Sequence, residues 1–170
     1  MIGAIAVLGF VTVERLAELV IANRNTARLL QRGAVEMSPR HYPLIVALHT
    51  VWLLGLWLLA WDKPLQWGWL AVFAVLQLLR VWVLATLGER WTTRIIVLPG
   101  APLVKTGPFR FLSHPNYAVV IGEIAVLPLA FGLAWYSLVF SVLNGMILFI
   151  RIRSESAALK GACYTAPRPG

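Results

Sequence analysis

Two short stretches of this 170-residue chain combine side chains whose types and spacing could hold or move charge. The first, residues 105–123, reads KTGPFRFLSHPNYAVVIGE and carries a histidine, three aromatic rings, an asparagine and a glutamate. The second, residues 151–159, reads RIRSESAAL and sets Arg151 four residues before Glu155, on one face of a helix. By spacing alone that pair is an ordinary surface ion pair worth roughly 0.2–0.5 kcal/mol. Taken alone, His114 is a helix-start residue bonded to nearby backbone. Pro115 after it suits a first turn, where its missing N–H would be unpaired anyway. Free N–H groups at such a start, with Asn116 and Tyr117, suit an anionic carboxylate. Glu123 differs, because it lies inside an apolar run, where an ionisable group is costly unless paired. Glu14, Glu18, Arg80 and Asn144 pose the same problem, and hydrogen bonding between helices is the expected answer. His49 reads as a packing residue with no site role.

The elements that must position these groups are membrane helices. Apolar side chains make up 59% of the chain, charged ones 13%, and mean hydropathy is +0.77. A soluble domain of this size cannot bury that much apolar surface. Each crossing of a bilayer needs about 20 helical residues. Residues 1–22, 43–61 and 66–87 supply three spans, and the break at 62–65 is a turn between antiparallel helices. Residues 117–150 as a single helix would run about 51 Å, too long for one crossing. A helical hairpin turning near Gly132 to Tyr136 is expected instead, giving five spans with the last two slightly short. The N-terminal run reads as a retained span, not a cleaved signal.

Charge supports this arrangement. With five spans, segments 23–42, 88–116 and 151–170 share one face, which then carries twelve of the fifteen basic residues. The positive-inside rule places that face in the cytoplasm. Positive charge spread between apolar spans argues for a membrane surface and against nucleic acid. The single cysteine, Cys163, gives neither a disulfide framework nor a metal cluster. Glycine-rich phosphate loops, HExxH, CxxC and GxSxG are absent from the sequence. Segment 88–116 is long for a connection, and its Pro99-Gly100 and Gly107-Pro108 breaks favour a shaped, packed loop.

TGPFRFLSHPNY, then a helical hairpin, then RIRSESAAL resembles the isoprenylcysteine carboxyl methyltransferase family, over about residues 90–160. GERWTTRIIVLPGAPLV and RNTARLLQRGAVE look more like its short bacterial members, similar to alkylpyrone and phenolic-lipid O-methyltransferases. The resemblance implies an all-α integral membrane protein forming one domain. Three N-terminal spans (1–87) would precede a catalytic half (88–160) with a cytosolic cofactor pocket.

The resemblance also implies S-adenosylmethionine as methyl donor and a lipophilic acceptor, prenyl-cysteine-like or phenolic, that arrives through membrane lipid. Carried over position by position, the cofactor-binding candidates are Thr106, Gly107, Phe109, His114, Pro115, Tyr117 and Glu155. Arg151 and Glu155 are the catalytic candidates. The residue chemistry is compatible: Glu155 can pair with the donor's amino group, and His114 can hold its carboxylate or ribose. Phe109 or Tyr117 can lie against adenine or face the sulfonium, and Arg151 can orient an acidic acceptor. No metal is implied. Three departures stand out. Ser113 replaces the family's usual arginine, Ser156 replaces a second glutamate, and the tail after Leu159 lacks the usual continuation. A non-enzymatic accessory protein on the same scaffold is the alternative reading, and an NADPH-dependent membrane reductase a weaker third.

Overall fold

The computed structural model describes residues 1–37 and 42–164, with side chains through Glu155. Arg40, Ser156, Lys160 and Arg168, which entered the charge and motif readings, therefore have side chains outside the described residues. Among the described residues, five helices make up most of the structure: α1 (Ile2–Gln31), α2 (Tyr42–Ala60), α3 (Trp67–Leu87), α4 (Pro115–Ala130) and α5 (Ala134–Tyr164). They run alternately up and down. Three of them (α2, the stretch Trp67–Arg90 that contains α3, and the Ala134–Glu155 part of α5) are long and apolar enough to cross a membrane. Helix α4 is apolar and shorter, and α1 carries Glu14, Arg15 and Glu18 near its middle.

Outward faces of the long helices are apolar rather than polar. Leu58 is 77% exposed, Leu78 71% and Leu138 54%, the inverse of a soluble bundle and the arrangement lipid requires. Exposed Trp61, Trp67 and Trp135 lie at the end where α2, α3 and α5 turn, as interfacial anchors do. The interior is packed by Leu8, Trp52, Leu56, Phe73, Ile124, Leu127 and Leu148.

Two helix ends differ from the sequence expectation or refine it. The first helix does not stop near residue 22 but continues to Gln31, so half of the expected first loop is helical. It stops at Gly33, whose φ is +85°; Gly33 N–H donates to Leu30 O and Ala34 N–H to Leu29 O, each at 3.0 Å. The hairpin turn repeats this solution. Gly132 (φ +73°) donates to Leu129 O and Leu133 to Pro128 O, both at 2.9 Å. These paired bonds satisfy the last helical carbonyls, and the left-handed residue between them favours glycine. The second concerns residues 151–155, which are the direct continuation of α5, so the last helix is long and runs on through this stretch without a break.

At the opposite end from the tryptophans, the connecting segments fold onto each other. Strand β1 (Val35–Glu36) pairs antiparallel with β2 (Ile96–Val97), Val35 opposite Val97. Asn25 of α1 donates to the carbonyls of Gly88 at 3.2 Å and Trp91 at 2.9 Å. Arg94 meets Glu36 at 3.0 Å and stacks over the Tyr42 ring. Loop 88–114 is thereby tied to α1, β1 and the start of α2, a packed loop as its turn residues suggested.

Candidate functional site

The start of α4 and the distal part of α5 are brought side by side by the hairpin, and four side chains join across it. Arg151 is 7% exposed; its Nε–H donates to the Tyr117 hydroxyl at 3.0 Å, and its Nη2 donates to the Thr93 carbonyl. Tyr117 in turn donates its hydroxyl hydrogen to Glu155 Oε2. His114 Nδ1 lies 3.8 Å from the same carboxylate oxygen, and its ring stacks on Tyr117 with centroids 5.4 Å apart. Arg151 and Glu155 are thus not a mere exposed pair. Each is bonded to Tyr117, 34 and 38 residues away in sequence.

This group borders a cavity of about 930 Å³ under loop 88–114. Phe109, His114, Tyr117, Arg151 and Glu155 line it, as do Ser113 and Asn116. Three of the candidate positions do not. Thr106 caps a 3₁₀ turn (Gly107–Arg110), and its carbonyl accepts the Phe109 N–H at 3.1 Å. Gly107 packs on α3: a Cβ there would come within 2.5 Å of Thr86 Oγ1 at a φ of +56°. Pro115 is the buried first residue of α4. These three shape the loop that holds Phe109 and His114, and do not face the cavity themselves. His114 is the N-cap residue of α4 but makes no side-chain capping bond, which leaves its imidazole directed to its neighbours Tyr117 and Glu155. The Tyr117 N–H, expected to be free at the helix start, donates to His114 O at 3.2 Å.

A second, smaller cavity of about 290 Å³ runs into the bundle beside α1, α2, α4 and α5. Trp91, Thr92, Asn116, Tyr117 and Arg151 line both. Asn116 Oδ1 and Trp91 Nε1 are buried there with no hydrogen-bond partner among the described residues, in contrast to most buried polar atoms. The second cavity and the wall contributed by residues 91–93 were not predicted from sequence. Apolar linings resemble every other span, and the loop residues lie more than 20 positions before the histidine. The only available signal was the length of segment 88–116.

Deeper in the bundle, the charges that lie within apolar runs pair between helices as expected. Arg80 (α3) donates to Glu18 (α1) and, at 2.7 Å, to Glu123 (α4). Arg15 contacts Glu18 and Glu123, each at 2.8 Å, and Gln77 donates to Glu14 at 2.5 Å. Asn144 is the exception. It is buried, and both its polar side-chain atoms lack a partner among the described residues.

Comparison with known proteins adds a family to this geometry. The chain is 40% identical to the uncharacterized protein YpbQ of Bacillus subtilis over 159 residues, covering 90% of this chain and 94% of that one. It is 27% identical to an uncharacterized protein of Haemophilus influenzae over 153 residues, 85% of this chain and 88% of the relative. No solved structure matches it. Residues 69–161, which contain the hairpin, the loop before it and the Arg151–Tyr117–Glu155 group, match the isoprenylcysteine carboxyl methyltransferase (ICMT) family, and the chain belongs to that family.

Proposed function

We propose that this chain is an integral-membrane methyltransferase that takes a methyl group from S-adenosylmethionine and places it on a carboxyl or hydroxyl oxygen of a lipophilic acceptor. The observation that carries this reading is the shared wall. Arg151 and Tyr117 border both a large cavity under the polar loop and a smaller, apolar one inside the bundle. A polar donor and a chain-bearing acceptor can then meet without either leaving its own solvent. In this reading all five helices span the membrane as one domain, with the catalytic half at 88–160 and the loops and C-terminus in the cytoplasm.

The residues of the first cavity fit such a donor. At about 930 Å³ the cavity is in the range of small-molecule sites. Its lining offers a carboxylate for an amino group (Glu155), an imidazole for a carboxylate or hydroxyl (His114) and a ring for a base or sulfonium (Phe109). The unpaired buried oxygen of Asn116 offers one further acceptor. When bound, the donor supplies an electrophilic methyl group on a sulfonium that departs as a neutral thioether.

What the chain itself must do is position and dry the two partners. Oriented reactants can contribute about 7–11 kcal/mol to such a displacement. Arg151 is held by Tyr117 and Thr93 at the shared wall, so its guanidinium edge can orient an acceptor oxygen. Tyr117 fixes Glu155 and Arg151 relative to each other. Glu155, with 28% of its side chain exposed, keeps a face toward the cavity.

Thermal unfolding of the purified protein in detergent tests the proposal. S-adenosylhomocysteine at 100 times its Kd should stabilise the protein by about 2.7 kcal/mol, and NADPH should not. Glu155→Ala and His114→Ala should each weaken that stabilisation. Absence of any shift with S-adenosylhomocysteine counts against a donor site. A shift untouched by both substitutions removes these residues from it. Comparing lipid extracts by mass, from cells with and without the protein, then identifies the methylated acceptor.

A further inference from the structure

The inner cavity contains one polar group that the reading above does not use. His49, in the middle of α2, lines it. Its Nδ1 lies 2.8 Å from the Ile45 carbonyl one turn back. A carbonyl only accepts, so Nδ1 carries the proton, and in the neutral ring the other nitrogen, Nε2, is an acceptor. His49 is half-buried, and the bond to Ile45 is its one side-chain hydrogen bond among the described residues, which leaves Nε2 open to the cavity.

Its neighbours in the cavity are otherwise occupied. The Thr12 hydroxyl donates to Leu8 O and accepts from Trp57, and the Thr50 hydroxyl donates to Val46 O. Arg15 and Arg80 are both paired with Glu18 and Glu123. Around His49 the two arginines are matched by the two glutamates, and Ile45, Val46 and Leu53 are apolar; the remaining cation of the cavity, Arg151, belongs to the shared wall. The imidazole asks for a neutral donor.

Its depth matters too. Tyr42 lies at the level of Arg151, since both contact Thr93. His49 is seven residues further along α2 and lines the inner cavity together with Arg151, so a ring seated between them can present one oxygen to each. A group bonded to His49 is therefore not the oxygen held at Arg151. It is a second one, deeper in the same molecule.

We propose that His49 is a specificity residue of the acceptor cavity: its Nε2 accepts a hydrogen bond from a second hydroxyl of a neutral, chain-bearing acceptor. The proposal rests on the inner cavity holding the acceptor. It favours hydroxylated amphiphiles over acceptors that present only hydrocarbon at this depth, because hydrocarbon seated against Nε2 would cover the nitrogen and leave it without a partner, which is unfavourable.

Binding in detergent, without any methyl transfer, tests it. The probes are pentadecylresorcinol, with two ring hydroxyls, and pentadecylphenol, with one. Wild-type protein should bind the dihydroxy probe about tenfold more tightly, the worth of one well-made buried hydrogen bond. His49→Phe should reduce that ratio to within about twofold while leaving stabilisation by S-adenosylhomocysteine unchanged. His49→Gln, which keeps an acceptor, should retain part of the ratio. A wild-type protein that does not distinguish the probes overturns the proposal without need of a variant. So does a ratio that survives His49→Phe. Discrimination that depends on His49 in a protein that binds no S-adenosylhomocysteine leaves this proposal standing and removes the methyltransferase reading. The converse result removes only this one.

Discussion

Apart from the ion pairs on its loops, this molecule groups arginine with glutamate at two places among its helices, with different consequences. In the middle of the bundle, Arg15 and Arg80 close on Glu18 and Glu123 with contacts of 2.7–2.8 Å, and Arg80 and Glu123 are only 5% and 2% exposed. At the loop end, Arg151 and Glu155 do not touch as a pair. A tyrosine hydroxyl stands between them, and the carboxylate stays partly open to a cavity of about 930 Å³. The inner cluster satisfies charge with charge and so fastens α1, α3 and α4 together. The outer group leaves charge incompletely matched, which is what a site for a charged ligand requires.

Breaking the inner cluster should therefore cost stability, and breaking the outer one should cost binding. The largest effect is expected for Glu123→Ala, which leaves two buried guanidinium groups short of a partner. Loss of one member of a buried ion pair costs about 3–5 kcal/mol, to be measured as a fall in apparent Tm in detergent. A variant that melts with wild type contradicts the fastening role.

Glu155→Gln sharpens the contrast. The amide keeps the shape and removes the charge, so S-adenosylhomocysteine affinity should fall about 10–100-fold, as for loss of a charge-assisted bond, with Tm nearly unchanged. Titration calorimetry reads the first quantity and unfolding the second. A drop in Tm without a drop in affinity would assign Glu155 to the scaffold.

Tyr117→Phe should lie between the two. It removes the hydroxyl that joins Arg151 to Glu155 and keeps the ring against His114, with an expected cost of about 1–3 kcal/mol spread over stability and donor binding. Gly107→Ala is expected to destabilise by about 1–3 kcal/mol, because the new methyl group meets Thr86 Oγ1 at 2.5 Å from a backbone with positive φ. Since Gly107 does not face the cavity, donor affinity should follow only the folded fraction. The smallest effect belongs to the exposed Arg28–Glu89 pair at 3.6 Å. Arg28→Ala should change Tm by no more than the equivalent of about 0.5 kcal/mol.

Local properties of the chain carried a good deal of this structure into the sequence. Runs of about 20 apolar residues marked α2, α3 and the hairpin, since spanning a bilayer is a requirement on composition and length. The turn at Gly132 was legible because only a few residues can stop a helix in that way. Gly33 offers the same signal, and the RNTARLLQRG stretch before it continues α1 as a helix although its polarity reads as a loop. Residues 151–155 continue α5 in the same way, since polar residues extend a helix readily where an apolar run ends.

Which polar groups meet was decided by tertiary structure alone. Glu123 was expected to need a partner, but nothing in the sequence pointed to Arg80, 43 residues away, rather than to another charge in the bundle. Thr106, Gly107, His114 and Tyr117 were equally plausible ligands as members of one motif; only the packing of Gly107 on Thr86 turns one part of that motif toward α3 and another toward the cavity. His49 reads as packing from its place in an apolar run; that it also lines the inner cavity, with Nδ1 on the Ile45 carbonyl, is a matter of tertiary packing. The reason is physical. Hydrophobicity and helix-stop geometry act over a few neighbouring residues and can be read along the chain, whereas hydrogen bonds and cavities depend on distances of a few ångströms between segments that only the folded bundle brings together.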